Sequence, residues 1–344
     1  MSHRTKSQQE ILDSDSISDF SADVTAGLSS PQKFLSSKYF YDKTGSTLFE
    51  QISALPEYYV TRTEAKIMQD NSSRLTRIID RSSSDRVVDK GICIVELGSG
   101  SSAKTRILLR QLVAEKKKVC YFPIDISRTM LSETASRLES EFPSINTLGV
   151  PGHYDFGIDQ VSRIANANSS TVPKRKLILF LGSSIGNFEK SQAISFLRML
   201  REKMDPKRDM LLVGFDLHKK TKILNAAYND SRGITAKFNF NLLTRINREL
   251  DANFVLERFT HRAFYNRIHR RIEMHLISKM DQSVYIGASG KAFGFRRGES
   301  IHTENSYKYS IHQIRDLAEQ SGLEIQRNFV DSRQWFSLTL FRTA

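Results

Sequence analysis

The chain has 344 residues, of which 39% are hydrophobic and 26% are charged, as in an ordinary globular protein. No apolar run approaches the roughly 20 residues that a helix needs to cross a bilayer. The first ten residues, MSHRTKSQQE, lack the apolar core of a signal peptide. Composition therefore argues against a membrane partner. Cys93 and Cys120 both lie in apolar runs, which favours buried thiols in the reducing cytoplasm over a disulfide or a metal pair.

The formal net charge of +13 is the second feature of the composition. Such a balance is compatible with a nucleic-acid or anionic-membrane partner. Lysines and arginines are nevertheless spread along the chain with acids between them. The densest clusters, Lys116–Lys118, Lys174–Lys176 and Arg267–Arg271, lack the interleaved aromatics of an RNA-binding surface. We interpret the charge as a solvated surface, and we expect a monomer without a nucleic-acid partner.

The N-terminal part of the chain falls into two regions. Residues 1–25 are rich in Ser and Asp with little periodic hydrophobicity, which predicts a flexible arm. From Phe34 the chain becomes aromatic, with FLSSKYFYDKTGSTLFEQI and then LPEYYVTRTEAKIM. Composition alone favours core packing over a pocket wall for these aromatic residues, because buried aromatics dominate cores generally.

The stretch from Gly91 to Ile107, GICIVELGSGSSAKTRI, predicts a buried strand, a glycine loop and a helix. Gly98 and Gly100 allow a sharp turn and the close approach of a ligand. Ala103 occupies the third glycine position of a dinucleotide fingerprint, and no nucleoside-triphosphate loop motif follows. Glu96 would repel a pyrophosphate but suits a cationic ligand such as S-adenosylmethionine. Lys104 is unfavourable in a first helical turn, which supports a ligand carboxylate nearby.

The run VCYFPIDIS predicts a second buried strand that ends in Asp125. In doubly wound folds an acid at this position binds the ribose hydroxyls of a nucleoside ligand. The alternative is that Asp125 only caps the helix that starts at Ser127. Further along, GVPGHYDFG predicts a loop in which Asp155 and Phe156 clamp an adenine, one by bonding the amine and the other by stacking.

Two more buried strands follow, in KLILFLGSSIGNF and DMLLVGFDL. Gly182 and Asn187 lie where the carboxyl edge of the sheet would meet a ligand, and we assign both to the substrate side, although Asn187 suits a plain turn as well. The alternation of strands and helices predicts a parallel α/β sheet. From His218 to about Lys291 the pattern changes to helices and alternating strands, which indicates a large insertion that forms a lid or second lobe. A helix and two closing strands end the chain.

Several motifs together resemble the L-histidine N-alpha-methyltransferases of ergothioneine biosynthesis. They are LPEYYVTRTEA, VELGSGSSAKTR, LFLGSSIGN, AAYND, FNFNLLTRINREL and RIEM, and the resemblance runs from about Gly27 to the C-terminus. It implies a Rossmann-like class I methyltransferase sheet that binds S-adenosyl-L-methionine, with a second lobe formed by an N-terminal segment and the insertion. It also implies methylation of the α-amino group of L-histidine, up to the trimethylated betaine hercynine. We expect residues 63–216 plus 309–344 to form the cofactor domain and residues 26–62 plus 217–308 to form the substrate lobe.

The resemblance further implies roles for individual residues, and it implies no metal. Gly98, Lys104, Asp125, Asp155 and Phe156 would contact the cofactor. The residues implied on the histidine side are Tyr58 at the site boundary, Asn187 and Tyr228 at the carboxylate, Glu304 and Ser306 at the imidazole, Met274 in the wall and Tyr41 near the amine. Methyl transfer needs a neutral amine, and Tyr41 would orient it directly or through a water.

Three alternatives to this function stay open. The first is methylation of another amino acid amine, such as that of tryptophan or a derivative. The second is an RNA or protein methyltransferase, prompted by the basic charge. The third is a non-catalytic cofactor-binding scaffold. Residue by residue, Glu304 could be a solvent-facing strand end, Tyr228 a helix-surface residue and Met274 simple packing.

Overall fold

The computed structural model describes residues 17–81, 91–167 and 172–344. The contacts divide the chain into two units. Unit 1 comprises the described residues up to Glu57 together with Thr221–Asn305, and unit 2 comprises Tyr58–Lys220 and Ser306–Ala344. No helix in the described ranges is both long enough and apolar enough to cross a membrane.

Unit 2 is built on an eight-stranded sheet with the order β12-β13-β6-β5-β1-β2-β3, and β4 pairs with β2 beside β3. The strands are β1 (Gly91–Leu97), β2 (Lys118–Asp125), β3 (Asn146–Thr147), β4 (Val150–Pro151), β5 (Lys176–Phe180), β6 (Met210–Asp216), β12 (Leu323–Val330) and β13 (Phe336–Thr343). Strands β1 to β6 are parallel where they pair, and β13 is antiparallel to both of its neighbours. The predicted Rossmann-like sheet with two closing strands is therefore confirmed.

Burial explains why these strands read as continuous apolar runs. Every residue of β1 and of β6 is buried, as expected of strands covered on both faces. The helices of unit 2 are α3 (Tyr59–Arg81), α4 (Thr105–Ala114), α5 (Arg128–Glu141), α6 (Tyr154–Ala167), α7 (Lys190–Glu202) and α10 (Ile311–Ser321). The carboxyl ends of the parallel strands meet at one edge of the sheet, which is where such folds bind ligands.

Unit 1 combines helices with small antiparallel sheets. Its helices are α1 (17–29), α2 (Lys43–Ser53), α8 (Thr221–Tyr228) and α9 (Ile234–Leu250). Its strands are β7 (Phe259–Asn266), β8 (Arg271–Ser278), β9 (Gln282–Ile286), β10 (Lys291–Phe295) and β11 (Ser300–Tyr307), the last of which ends in unit 2. Helix α9 supplies much of the core, and its Phe238 stacks on Phe40 with ring centroids 4.5 Å apart.

Two local predictions need correction. The flexible arm predicted for residues 1–25 does not hold for residues 17–25, since they belong to α1 and since Phe20 and Val24 are buried. Residues 1–16 lie outside the described residues. The predicted loop around Asp155 and Phe156 is also helical, because α6 already begins at Tyr154. The ring of Tyr154 packs edge-on against Phe180, 5.6 Å between centroids, and so fixes the start of the helix.

Candidate functional site

The glycine loop after β1 has the backbone that a close-approaching ligand needs. Gly98 and Gly100 have φ values of 68° and 49°, in the left-handed region that favours glycine. A Cβ at Gly100 would meet nothing within 4 Å, so this side of the loop is open. The buried hydroxyl of Ser99 has no hydrogen-bond partner among the described residues. An open glycine backbone beside an unpaired hydroxyl fits a polar ligand at this loop.

Asp125 ends β2 next to this loop, as the sequence predicts. Its Oδ2 accepts a hydrogen bond from the Gly100 N–H at 3.0 Å, and its Oδ1 accepts one from the Ser127 N–H at 3.0 Å. The carboxylate thus holds both the glycine loop and Ser127, and Ser127 rather than Asp125 is the N-cap of α5. A carboxylate has about four acceptor sites, so acceptor capacity remains for ligand hydroxyls.

Asp155 and Phe156 lie in the first turn of α6, after β4. Both are exposed, and 53% of Phe156 is accessible, which is unusual for a phenylalanine. Gly152 has a φ of 146°, and a Cβ there would lie 2.9 Å from Cδ1 of Phe156. The glycine therefore makes room for the ring. An exposed aromatic face beside a carboxylate fits a stacked adenine with an amine donor.

Glu96 lies beneath the glycine loop, where protein hydroxyls enclose it. Thr105 Oγ1 donates to its Oε1 at 2.6 Å, and the Tyr121 hydroxyl donates to its Oε2. Ser102 extends the network through a 2.6 Å hydrogen bond with Tyr121. Burial raises the pKa of Glu96 to about 7, although these hydrogen bonds and Lys104 oppose the shift. The structure thus gives Glu96 a part in holding the loop, whereas the sequence suggests a direct contact with the cofactor.

Glu64 lies within the motif LPEYYVTRTEA, but the sequence analysis gives it no role. It is fully buried on α3, forms an ion pair with Lys104, and accepts the Gly182 N–H with both oxygens at 2.9 Å. Gly214 of β6 makes this approach possible, because a Cβ there would lie 2.2 Å from Oε1 of Glu64. One carboxylate therefore joins Lys104 and Gly182, two residues that the sequence assigns to different ligands.

The loop after β5 carries Asn187. Ser183 adopts a φ of 60°, and residues Ser184–Asn187 form a 3-10 turn that leaves Asn187 half-buried. Gly186 packs tightly in this turn, since a Cβ would lie 2.9 Å from the Tyr307 carbonyl oxygen. The turn thus sets Asn187 at the carboxyl edge of the sheet, as the sequence predicts.

A buried charge cluster occupies the carboxyl end of β6. Asp216 accepts from the Tyr59 hydroxyl at 2.7 Å, forms an ion pair with Lys308 at 2.8 Å and another with Lys219. Lys308 also donates to Ser306 Oγ at 2.7 Å. Burial would raise the pKa of Asp216, but the two ammonium groups outweigh it and hold that pKa below its usual value. The family resemblance implies a role for Ser306 but none for the charged side chains of Asp216, Lys219 and Lys308.

The remaining predicted substrate residues are largely buried. Tyr58 is 6% exposed at the start of unit 2. In unit 1, Tyr228 is 6% exposed at the end of α8 and Met274 is 1% exposed on β8. Tyr228 is therefore not the helix-surface residue of the alternative reading.

Tyr41 and Glu304, also in unit 1, are half-buried. The Tyr41 ring packs edge-on against Phe49 and Phe238, with centroids 5.7 and 5.8 Å away. Thr303, which precedes Glu304 on β11, donates to the Met274 carbonyl at 3.1 Å. The positions of Glu304 and Met274 on their strands are thus tied together.

One group of metal-ligating side chains occurs in the described part of unit 1, formed by Glu273, His275 and His302. Glu273 forms an ion pair with Arg271, in which Nε of Arg271 lies 2.8 Å from Oε1 of Glu273. His302 Nε2 lies 3.1 Å from the Glu304 carbonyl oxygen. The His275 and His302 rings stack with centroids 4.7 Å apart. A guanidinium on the carboxylate disfavours a cation there, so we interpret the group as a packed polar cluster.

Comparison with known proteins identifies the family of this chain. Residues 20–343 match the family model of the SAM-dependent histidine-specific methyltransferases. The histidine N-alpha-methyltransferase of Mycolicibacterium smegmatis is 36% identical over 92% of this chain and 93% of its own length. The ergothioneine biosynthesis protein 1 of Neurospora crassa is 32% identical over 83% of this chain but only 30% of its own length. The L-tryptophan methyltransferase of Psilocybe serbica is 26% identical over 93% of this chain and 92% of its own length. The chain belongs to the SAM-dependent histidine-specific methyltransferases.

Proposed function

We propose that this enzyme methylates the α-amino group of L-histidine, up to the trimethylated betaine hercynine, as the first step of ergothioneine biosynthesis. Family membership supports the reaction class, and the 36% identity to a histidine N-alpha-methyltransferase over nearly the whole chain supports the substrate. The observation that carries the proposal is Asp125, because its carboxylate binds the open glycine loop and retains capacity for ribose hydroxyls.

The residues of unit 2 fit S-adenosylmethionine, which when bound supplies an electrophilic methyl group on a cationic sulfur. Asp125 would hold the ribose, and Asp155 with the exposed Phe156 would hold the adenine. Gly98 and Gly100 would let the backbone of the loop come close to the ligand, because no Cβ stands between them. We propose that Glu96 and Lys104 act mainly by fixing this loop, since their side chains are engaged by Thr105 and Glu64 respectively.

On the histidine side, we propose the contacts that the sequence implies. Asn187 and Tyr228 would bind the carboxylate, Glu304 and Ser306 would bind the ring nitrogens, and Tyr58, Gly182 and Met274 would shape the site. A buried site whose polar groups pair with the imidazole rejects a side chain that lacks them. Tyr41 would orient the amine. The amine must lose a proton before each transfer, and after the third it carries a permanent positive charge.

Mass spectrometry tests the reaction directly. L-histidine incubated with the enzyme and S-adenosylmethionine should give mono-, di- and trimethylated products in order. Histidine methyl ester provides a matched control, since it keeps the amine and ring but removes the carboxylate charge. Absence of any methylated histidine at saturating concentrations of both substrates would refute the proposal.

Methylation of another amino acid amine is the second candidate, and the tryptophan methyltransferase relative is the observation that favours it. Glu304 and Ser306 argue for histidine, because an indole has one N–H donor and no ring acceptor. A panel of free amino acids with a labelled methyl donor decides between the two. Preferential labelling of tryptophan would replace histidine as the substrate.

We also propose that the enzyme acts in the cytoplasm. Cys93 and Cys120 are both buried and outside any disulfide, and they are register partners on the neighbouring strands β1 and β2. Two neighbouring cysteines without a disulfide suit a reducing compartment. Fractionation of cells that express the chain at native levels would test this assignment.

A further inference from the structure

Helix α8 of unit 1 ends at Tyr228, and side chains outside the helix bind its last carbonyl groups. These carbonyl groups have no partner within a helix, so other donors must satisfy them. His261 Nε2 of β7 lies 3.1 Å from the Tyr228 carbonyl oxygen. Asn229 Nδ2 donates to the Asn225 carbonyl at 2.8 Å. The end of α8 is therefore capped in part by a side chain of β7.

Further hydrogen bonds join β7 to the same helix end. The Tyr265 N–H donates to Asn225 Oδ1 at 2.7 Å, and Asn229 Nδ2 donates to the Ala263 carbonyl at 3.0 Å. Together with His261, alternate residues of β7 thus bind the last turn of α8 and the residue that follows it. The position of this turn, and of Tyr228 within it, is consequently set by β7.

The hydrogen bonds around His261 determine which ring nitrogen carries the proton. Asn239 Nδ2 of α9 donates to the His275 carbonyl at 3.2 Å, and its Oδ1 accepts from Thr303 Oγ1 at 2.8 Å. These two bonds fix the orientation of the amide. The same Nδ2 lies 3.0 Å from His261 Nδ1, so Nδ1 must accept. Nε2 then carries the proton and donates it to the Tyr228 carbonyl.

A neutral His261 ring agrees with this arrangement. Desolvation lowers the pKa of the ring below its usual value, although the Tyr228 carbonyl and the carboxylate of Asp230 oppose the shift. Neutral imidazole has one N–H donor and one acceptor nitrogen. The Tyr228 carbonyl on one side and the Asn239 amide on the other match these two groups.

We propose that His261 is a positioning residue that places Tyr228 to bind the carboxylate of the substrate. This inference rests on the proposed function, in which Tyr228 binds that carboxylate. A hydrogen bond weakens steeply when its distance or angle changes, so a small shift of the helix end would weaken the bond to the carboxylate. His261 acts through Tyr228 and thereby strengthens the preference of the enzyme for a free amino acid over its ester.

Two variants separate the two hydrogen bonds of the ring. His261→Gln keeps an N–H donor near the place of Nε2 and loses the acceptor that faces Asn239. His261→Asn keeps an acceptor near the place of Nδ1 and loses the donor to Tyr228. His269→Asn is the matched control, because His269 is an exposed histidine in the turn after β7.

Calorimetric titration into the enzyme saturated with S-adenosylhomocysteine gives the Kd of L-histidine and that of histidine methyl ester. The ratio of the ester Kd to the histidine Kd measures the preference for the carboxylate. We expect His261→Asn to lower this ratio about fivefold, the effect of one hydrogen bond, by weakening the binding of histidine alone. His261→Gln and His269→Asn should keep the ratio of the wild type.

Circular dichroism establishes that the variants fold. Should His261→Asn not fold, Asn229→Ala removes the bond to the Ala263 carbonyl at an exposed position and should lower the same ratio. Independently of that variant, NMR of isotope-labelled enzyme reports the protonation of each ring nitrogen, and His261→Gln identifies the signals of His261. We expect the proton on Nε2.

Several results would overturn the inference. They are a ratio near one in the wild type, an unchanged ratio in His261→Asn, an equal loss of affinity for histidine and its ester, and a proton on Nδ1 of His261. A fall in His261→Gln as large as in His261→Asn would do so too, because the donor to Tyr228 would then not matter. Failure of the proposed function looks different, since the wild type would neither bind nor methylate histidine.

Discussion

Replacement of Glu96 by glutamine should change how the stability of the enzyme depends on pH. Glu96 is 3% exposed, and its burial raises its pKa from 4.5 to about 7. In the unfolded chain the same carboxyl ionises near 4.5. Between pH 4.5 and about pH 7 the Glu96 carboxyl group of the folded protein holds a proton that the unfolded chain releases. The stability that this proton contributes is therefore lost as the pH rises toward 7.

The size of the effect follows from the pKa difference. At about 1.36 kcal/mol per pH unit, the rise from 4.5 to about 7 corresponds to ~3 kcal/mol. The unfolding free energy of the wild type should therefore fall by ~3 kcal/mol between pH 4.5 and pH 8, relative to that of Glu96→Gln, whose side chain cannot ionise. Weaker hydrogen bonds from Thr105 and Tyr121 in Glu96→Gln shift its unfolding free energy by a similar amount at every pH. They have less effect on how the difference in unfolding free energy between the two proteins depends on pH.

Urea unfolding followed by circular dichroism at pH 4.5, 6, 7 and 8 measures this difference. Glu139→Gln, which neutralises an exposed glutamate of α5, is the matched control and should track the wild type. A constant difference between wild type and Glu96→Gln over this range would refute the reasoning. It would mean that Glu96 ionises as readily in the folded protein as in the unfolded chain.

Three further predictions concern binding and the loop. Asp125→Asn should weaken S-adenosylhomocysteine binding about tenfold or more in calorimetry, because a charged acceptor is lost, and unchanged affinity would contradict its ribose role. Glu304→Ala should weaken histidine binding by a similar factor yet retain S-adenosylhomocysteine binding, and equal histidine affinity would count against the imidazole contact. Glu64→Ala should lower the unfolding free energy by about 3 kcal/mol in urea titrations, because Lys104 and the Gly182 N–H lose a buried partner. A loss below about 1 kcal/mol would show that water replaces the carboxylate.

The sheet and its cofactor edge are predictable because their signals are local. The apolar run of β1 is followed directly by its glycines, and the apolar run of β2 is followed directly by Asp125. Each signal is therefore local, whereas the hydrogen bond from the Gly100 N–H to Asp125 joins residues 25 positions apart and is seen only in the structure. Helix α1 also has a local signal, the four-residue spacing of the buried Phe20, Val24 and Leu28, but its serines and aspartates favour the prediction of a flexible arm.

The parts that sequence reasoning misses depend on contacts between distant segments. Glu64 meets Lys104 across 40 positions, and no spacing rule connects them. Lys308 and Asp216 are likewise separated along the chain and become partners only when β6 and the segment after β11 come together. The sequence predicts that Glu96 faces a cationic ligand, because its enclosure by Thr105 of α4 and Tyr121 of β2 arises only when these elements pack together.

The contact between Glu64 and Gly214 constrains how this sequence can evolve. A methyl group at position 214 would occupy the space of the Glu64 carboxylate, 2.2 Å from its oxygen. Alanine at 214 therefore requires Glu64 to move or to be shortened, which disturbs the partner of Lys104, and it also requires a small shift of the Phe336 ring, which lies 3.0 Å from the same Cβ. The two positions should vary together or not at all, so a natural homologue that retains the glutamate but carries a larger residue at 214 would need a displaced α3.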